Sequence, residues 1–225
     1  MKTSVVIVCA GNSTRMGGVN KILLPLGDRK VIGVTMQAFQ SCESVYEIII
    51  VAREDDIPAI QAEAEAAGIT KLAACTTGGA TRQGSVINGI RKISKETEFV
   101  AVHDGARPLV KPEHIERAIK DASVFGGATL GVPVKDTIKT VDGGLIIDTP
   151  PRSSLYITQT PQIFKRDLYF EGIDFALEHG LDFTDDCQLV EAIGGKVAMT
   201  VGDYTNIKIT TPEDIDIAEV LLRRR

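Results

Sequence analysis

The chain has 225 residues, 44% of them hydrophobic, and 25 Lys and Arg against 30 Asp and Glu give a formal net charge of −5. That balance excludes general binding to nucleic acid, and no apolar run is long enough to cross a membrane. Four scattered cysteines, Cys9, Cys42, Cys75 and Cys187, form no C-x-x-C pair, which argues against a zinc site or a disulfide framework and fits a reducing, cytoplasmic setting.

The chain opens on MKTSVVIVCAG, a faint imitation of a signal peptide whose apolar run is too short and is cut off by Asn12, Ser13, Thr14 and Arg15. Val5 to Val8 instead reads as a strand buried on both faces. Gly11, Asn12, Ser13, Gly17 and Gly18 cannot continue it, and they form a turn at the place where open parallel sheets bind ligands. Small residues there leave backbone N–H groups free to converge on an anion, and Arg15 and Lys21 add positive charge. Together these features point to a triphosphate cradle. An ordinary loop with solvated Arg15 and Lys21 is the alternative, since neither G-x-x-x-x-G-K-[ST] nor G-x-G-x-x-G is matched.

Val31 to Phe39 has helical spacing, Tyr46 to Ala52 is a second buried strand, and Pro58 begins a helix that Gly68 ends. Leu72 to Thr76 is a weaker strand and Thr81 to Ile93 a helix. Phe99 to Val102 is a fourth strand, Pro112 to Phe125 a helix, and Thr129 to Val134 a fifth strand. This alternation implies a mostly parallel sheet with helices on both faces. It breaks at Lys135 to Ile157, where Asp142-Gly143-Gly144 between IKTV and LIID signals a hairpin. Helices follow over Arg166 to His179 and from Thr184-Asp185-Asp186, with short strands at Lys196 to Val201 and Asn206 to Thr210. The last helix opens on Thr211-Pro212-Glu213-Asp214, with Thr as cap, Pro in the first turn and acids facing the dipole. The terminal Arg223, Arg224 and Arg225 suit a helix C-terminus.

Three further groups carry candidate chemistry. In Thr77 to Ser85, Gly78 and Gly79 allow close approach of a flat ligand; Ser85 either bonds a base edge or caps the helix. His103-Asp104-Gly105-Ala106-Arg107-Pro108 follows a buried strand. Asp104 there can hold a ribose hydroxyl or a Mg²⁺ bound to phosphate, Arg107 can orient Asp104, and His103 reads as a structural histidine. Arg152 and Lys208 are candidate phosphate binders, although Lys208 alone reads as a surface residue of an edge strand. No nucleophile with a partnered base is evident, so transfer by positioned charges and Mg²⁺ fits best.

Taken in order, these stretches resemble the 2-C-methyl-D-erythritol 4-phosphate cytidylyltransferases of the non-mevalonate isoprenoid pathway. The resemblance rests on Ala10-Gly11 through Arg15-Met16 to Lys21, Gly78-Gly79 with Arg82 and Ser85-Val86, His103 to Pro108, Pro133 to Thr137, Arg152, Thr160-Pro161-Gln162, Thr184-Asp185-Asp186 and Asn206 to Thr210. It implies a Rossmann-like three-layer α/β nucleotidyltransferase fold over residues 1–225 as one domain, with a projecting β-arm at 135–157 that forms a homodimer. It implies CTP and a polyol phosphate as substrates, with Mg²⁺ carried mainly by the CTP phosphates and no protein-built metal site. By resemblance, Arg15 and Lys21 stabilise the transition state, and Arg152 and Lys208 hold the attacking phosphate. Ala10 and Gly11 line the nucleotide loop, Gly79 and Ser85 contact cytosine, Asp104 faces the ribose and substrate, and Thr137 and Thr160 help bind the substrate.

Two positions depart from the pattern. Ala80 stands where an acidic residue is common, which leaves base contacts there to backbone, and Cys9 replaces a small residue such as Ala. The ribitol-5-phosphate cytidylyltransferases share a similar loop set, but they tend to carry Ser-Val within the segment that here reads His103 to Pro108. A non-catalytic nucleotide-binding module is disfavoured by the presence of Arg15, Lys21, Arg152 and Lys208 together. An NAD-binding dehydrogenase is disfavoured by the missing G-x-G-x-x-G.

Overall fold

The computed structural model describes residues 1–11 and 20–225. Strand β1 (Thr3–Val8) is followed by a two-residue antiparallel pair, β2 (Pro25–Leu26) and β3 (Arg29–Lys30), and by α1 (Val31–Gln40), β4 (Val45–Ala52), α2 (Ile57–Ala66), β5 (Leu72–Thr77) and α3 (Arg82–Ile90). The chain continues through β6 (Phe99–Asp104), α4 (Pro112–Phe125), β7 (Gly127–Pro133), β8 (Thr140–Asp142), β9 (Leu145–Asp148) and β10 (Tyr156–Lys165). It closes with α5 (Arg166–Glu178), α6 (Asp186–Ala192), β11 (Val197–Val201) and α7 (Glu213–Arg223). Among the described residues, no helix is long and apolar enough to cross a membrane.

Seven strands form one sheet in the order β11-β7-β10-β6-β1-β4-β5. β1 pairs in parallel with β4 and β6, β4 with β5, and β7 with β11; β10 runs antiparallel to both of its neighbours. Alternate residues of β1 serve opposite layers, as a strand buried on both faces requires. Val5 and Ile7 pack with α1, α2 and α4, through Phe39, Ile60 and Ile119 among others. Val6 packs with α3, α5 and α6 through Val86, Tyr169 and Val190. A third cluster, Leu26, Val31, Leu109, Ile209 and Ala218, seats α7 beside the β2–β3 pair. Truncating a fully buried residue such as Ile7 to Ala is expected to cost about 2–5 kcal/mol.

The alternation read from the sequence is present, and two local expectations are corrected. Residues 206–210 are not a strand but a segment without regular secondary structure, with Ile209 N–H donating to the Ala106 carbonyl at 2.8 Å. The last helix is not capped by the Thr211 hydroxyl. The Asp214 carboxylate reaches back to accept from the Thr210 and Thr211 amides at 2.7 and 2.8 Å. β10 was not expected at all. Gln159, Thr160 and Gln162 are buried there, with side chains satisfied by Asp203, His103, Asp185 and Asp186.

β8 and β9 pair only with each other, and every residue in them is exposed. This hairpin leaves the sheet between β7 and β10 at the Pro133–Tyr156 pair. It carries exposed Ile138, Val141, Leu145, Ile146 and Ile147.

Candidate active site

Parallel pairing brings three loops to the same end of the sheet. Val8 and Asp104 are register partners, so β1 and β6 end level, and Ala52 faces Thr77 where β4 and β5 end. The amides continue the ladders into the loops: Gly105 N–H donates to Val8 at 3.0 Å, Cys9 to Val51 at 2.7 Å, and Gly78 to Ala52 at 3.0 Å. Over these ends lies a cleft of about 340 Å³, a size suited to a small-molecule ligand. Ala10, Gly11, Lys21, Gly79, Ala80, Arg82, Ser85, Asp104 and Lys208 line it. A roomier hollow beside α5 is lined by Asp167, Glu171, Asp174 and Glu178 against one cation, Arg166, an excess of negative charge that would repel a phosphate.

The glycines of the second loop answer to close contact. A Cβ on Gly78 would fall 2.4 Å from the Ala10 side chain, and one on Gly79 2.7 Å from the Gly84 backbone. Thr81 caps α3 by accepting from Gly84 N–H at 3.0 Å. The Ser85 hydroxyl donates to the Thr81 carbonyl at 2.9 Å and accepts from Gly79 N–H at 3.0 Å, so it shapes the loop. The Cys9 thiol is buried, which pushes its pKa up, and its sulfur would lie 2.3 Å from a Cβ on Gly105. Cys9 therefore fits because residue 105 is glycine.

Asp104 is the electrostatic centre. Its carboxylate lies 2.8 Å from the Lys208 ammonium and 3.6 Å from the Arg107 guanidinium. Burial alone would raise its pKa, but Lys208, Arg107 and Arg82 outweigh burial and hold it down at about 2. Arg107 is itself fixed by donating to the Asn206 carbonyl at 2.8 Å. Asn206 is fully buried and donates to the Thr160 carbonyl at 3.1 Å, which anchors the segment that delivers Lys208. Lys208 is thus a cleft residue rather than the surface residue of an edge strand.

Beneath Asp104, the Thr160 hydroxyl accepts from the Asp104 amide at 3.1 Å and bonds His103 Nδ1 at 3.0 Å. His103 is fully buried, with Nε2 3.2 Å from the Arg107 carbonyl, and burial depresses its pKa to about 3. It is a neutral structural histidine at ordinary pH.

The structure gathers Ala10, Gly11, Lys21, Gly79, Ser85, Asp104 and Lys208 around one cleft, with Thr160 below it. It does not bring Thr137 and Arg152 there: both are exposed at the hairpin, and the Arg152 guanidinium donates to the Lys135 carbonyl at 2.7 Å. Arg15 lies outside the described residues. Among the cations that line the cleft, Arg82 has no role assigned from the sequence. Arg82 is ion-paired at 2.6 Å to buried Asp186, which also accepts from the Tyr169 hydroxyl at 2.5 Å. Its signal was an arginine in the first turn of a helix entered through a glycine pair. Among the described residues, no group of three or more His, Cys, Asp or Glu could hold a metal.

A three-layer α/β body with a cation-flanked cleft over its parallel strand ends defines a nucleotide-dependent transferase. The sequence model of the 2-C-methyl-D-erythritol 4-phosphate cytidylyltransferases matches residues 3–224, and the chain belongs to that family. It is 46% identical to the enzyme of that name from Caldanaerobacter subterraneus over 227 residues, covering all of both chains. It is 43% identical to the one from Syntrophotalea carbinolica, covering 99% of this chain and 97% of that one. The crystal structure of 4-diphosphocytidyl-2C-methyl-D-erythritol synthase from Anaerococcus prevotii superposes with a TM-score of 0.87 at 31% identity, covering 98% of this chain and 96% of that one. The cytidylyltransferase from Thermus thermophilus gives 0.81 at 33% identity, over 99% and 100%.

Proposed function

We propose that the chain transfers the cytidylyl group of CTP to 2-C-methyl-D-erythritol 4-phosphate and releases pyrophosphate. The observation that carries this reading is the meeting of Lys21 and Lys208, from opposite ends of the chain, at one cleft beside a carboxylate already neutralised by cations. Attacker and target in this reaction are both anions, so their repulsion must be cancelled by charges fixed in advance.

An oxygen of the substrate phosphate attacks the α-phosphorus; its new P–O bond forms as the bond to pyrophosphate breaks. Lys21 and Arg15 face the charge that builds on the triphosphate, and Lys208 and Arg152 hold the attacking phosphate. Ala10, Gly11, Gly79 and Ser85 form the nucleotide wall. Asp104 meets the ribose and substrate, with its amide set by Thr160. Mg²⁺ carried on the triphosphate would supply further neutralisation of the pyrophosphate charge, beside Lys21 and Arg15.

The whole chain acts as one domain in this reading, and residues 135–157 form an arm that embraces a second copy. Two features support this: an isolated two-stranded hairpin is marginal in water, and the apolar side chains on this one lack cover in the single chain. Thr137 and Arg152 then complete the partner's cleft, since neither reaches its own. Pyrophosphate release with four nucleoside triphosphates, crossed against methylerythritol, erythritol and ribitol phosphates, tests the assignment. CTP with methylerythritol phosphate is the expected pair; a preference for ribitol phosphate overturns it.

A further inference from the structure

The segment between β11 and α7 runs from the cleft to the root of the arm. At one end Lys208 meets Asp104. At the other, the Tyr204 hydroxyl donates to the Pro133 carbonyl at 2.7 Å, and the Lys135 ammonium sits 3.6 Å over the Tyr204 ring. Lys135 in turn accepts, through its carbonyl, the hydrogen bond from Arg152. The segment between these ends is tied down. The Asp203 carboxylate receives the Lys111 ammonium at 2.8 Å, its carbonyl receives the Gln159 amide at 2.8 Å, and Asn206 is bound to β10.

We propose that Tyr204 and Lys135 are positioning residues for Arg152, so that the segment presenting Lys208 to one cleft also aims the arm that serves the other. The inference rests on the shared-site reading above. The hairpin strands pair only with each other, so the direction of the arm is set at its root. There the Val134 amide bonds the Leu155 carbonyl at 3.0 Å, and Tyr204 bonds the carbonyl of the preceding Pro133. Lys135 joins the two: its ammonium is held by the aromatic face and its carbonyl holds the guanidinium. A cation over a ring and a hydroxyl–carbonyl bond are each modest, but they hold Lys135 and nearby Pro133 from one tyrosine, and Lys135 is the residue whose carbonyl holds Arg152.

Tyr204→Leu removes both contacts, Tyr204→Phe keeps the ring and loses the hydroxyl, and Lys135→Met removes the cation from an exposed position. Tyr204→Leu is expected to raise the KM for the polyol phosphate about 10-fold, with Tyr204→Phe and Lys135→Met near threefold, while the KM for CTP stays within twofold. Mixed dimers then separate the two ends of the segment. When a Tyr204→Leu subunit pairs with a Lys21→Ala subunit, the one competent cleft belongs to the Tyr204→Leu body and receives an intact arm. Its polyol-phosphate KM should return to the wild-type value. A KM that stays raised there places the effect in Tyr204's own cleft and overturns the inference, as does an unchanged KM in Tyr204→Phe and Lys135→Met homodimers. Mixed dimers of Lys21→Ala with Arg152→Ala serve as the control. If they recover no activity, the shared site falls and this inference with it; if they recover and the Tyr204 pairing does not, only this inference falls.

Discussion

Lys208 Nζ lies 2.8 Å from Asp104 Oδ2, although nearly half the chain separates them. The pair lets a lysine that looks superficial in sequence stand at the cleft over the strand ends. Lys208→Ala is expected to reduce turnover about 10²–10³-fold, chiefly by impairing use of the polyol phosphate. Calorimetry should show CTP affinity changing less than polyol-phosphate affinity; the reverse pattern removes Lys208 from the acceptor side.

Lys21→Ala should lower kcat about 10²–10³-fold and leave the fold intact, because a preorganised cation acts on charge that develops during transfer. Single-turnover kinetics at saturating CTP, with a thermal melt as a folding check, measures this. Near-normal turnover would take Lys21 out of the catalytic set.

Acid should destabilise the protein in two windows. The folded pKa of His103, about 3, lies below its ordinary 6.5. Its contribution is therefore full above pH 6.5 and is lost as pH falls toward 3, at about 1.4 kcal/mol per unit. Asp104, held at about 2 against an ordinary 3.8, adds a loss between about pH 4 and pH 2. Urea midpoints at pH 7, 6 and 5 should decline in the wild type, and His103→Gln should flatten that slope. An equal slope in the variant would mean that His103 is not the titrating group.

Co-expressed Lys21→Ala and Arg152→Ala subunits should regain activity in mixed dimers, up to about half that of the wild type, because one cleft then carries both lesions and the other neither. Verified mixed dimers that stay inactive, or a fully active monomer by sedimentation, would exclude a cleft completed by the partner's arm.

The parallel body was legible because β1, β4 and β6 are short β-branched runs followed by small or polar residues, and helices fill the gaps between them. β10 was not, for a physical reason. Its centre, Thr158 to Gln162, is polar and contains Pro161, yet Gln159, Thr160 and Gln162 are buried because each finds a partner on another element. Periodicity reports apolar burial and is blind to burial satisfied by distant hydrogen bonds. The same blindness made 206–210 look like a strand. Its alternating residues are real, but the alternation separates Asn206 and Lys208, which face polar partners, from Ile207 and Ile209, which pack beside α7. Arg82 was visible as a residue but not as a cleft cation, since Asp186, its counter-ion, belongs to a helix far along the chain.

Pro133 and Tyr156 face each other across neighbouring antiparallel strands, so the excursion between them begins and ends at one spot on the sheet. Nothing in the body has to move if that excursion grows, shrinks or is exchanged. The exposed arm can therefore drift in evolution, or be rebuilt by design, on a clock of its own, while the residues that line the cleft stay where the sheet puts them.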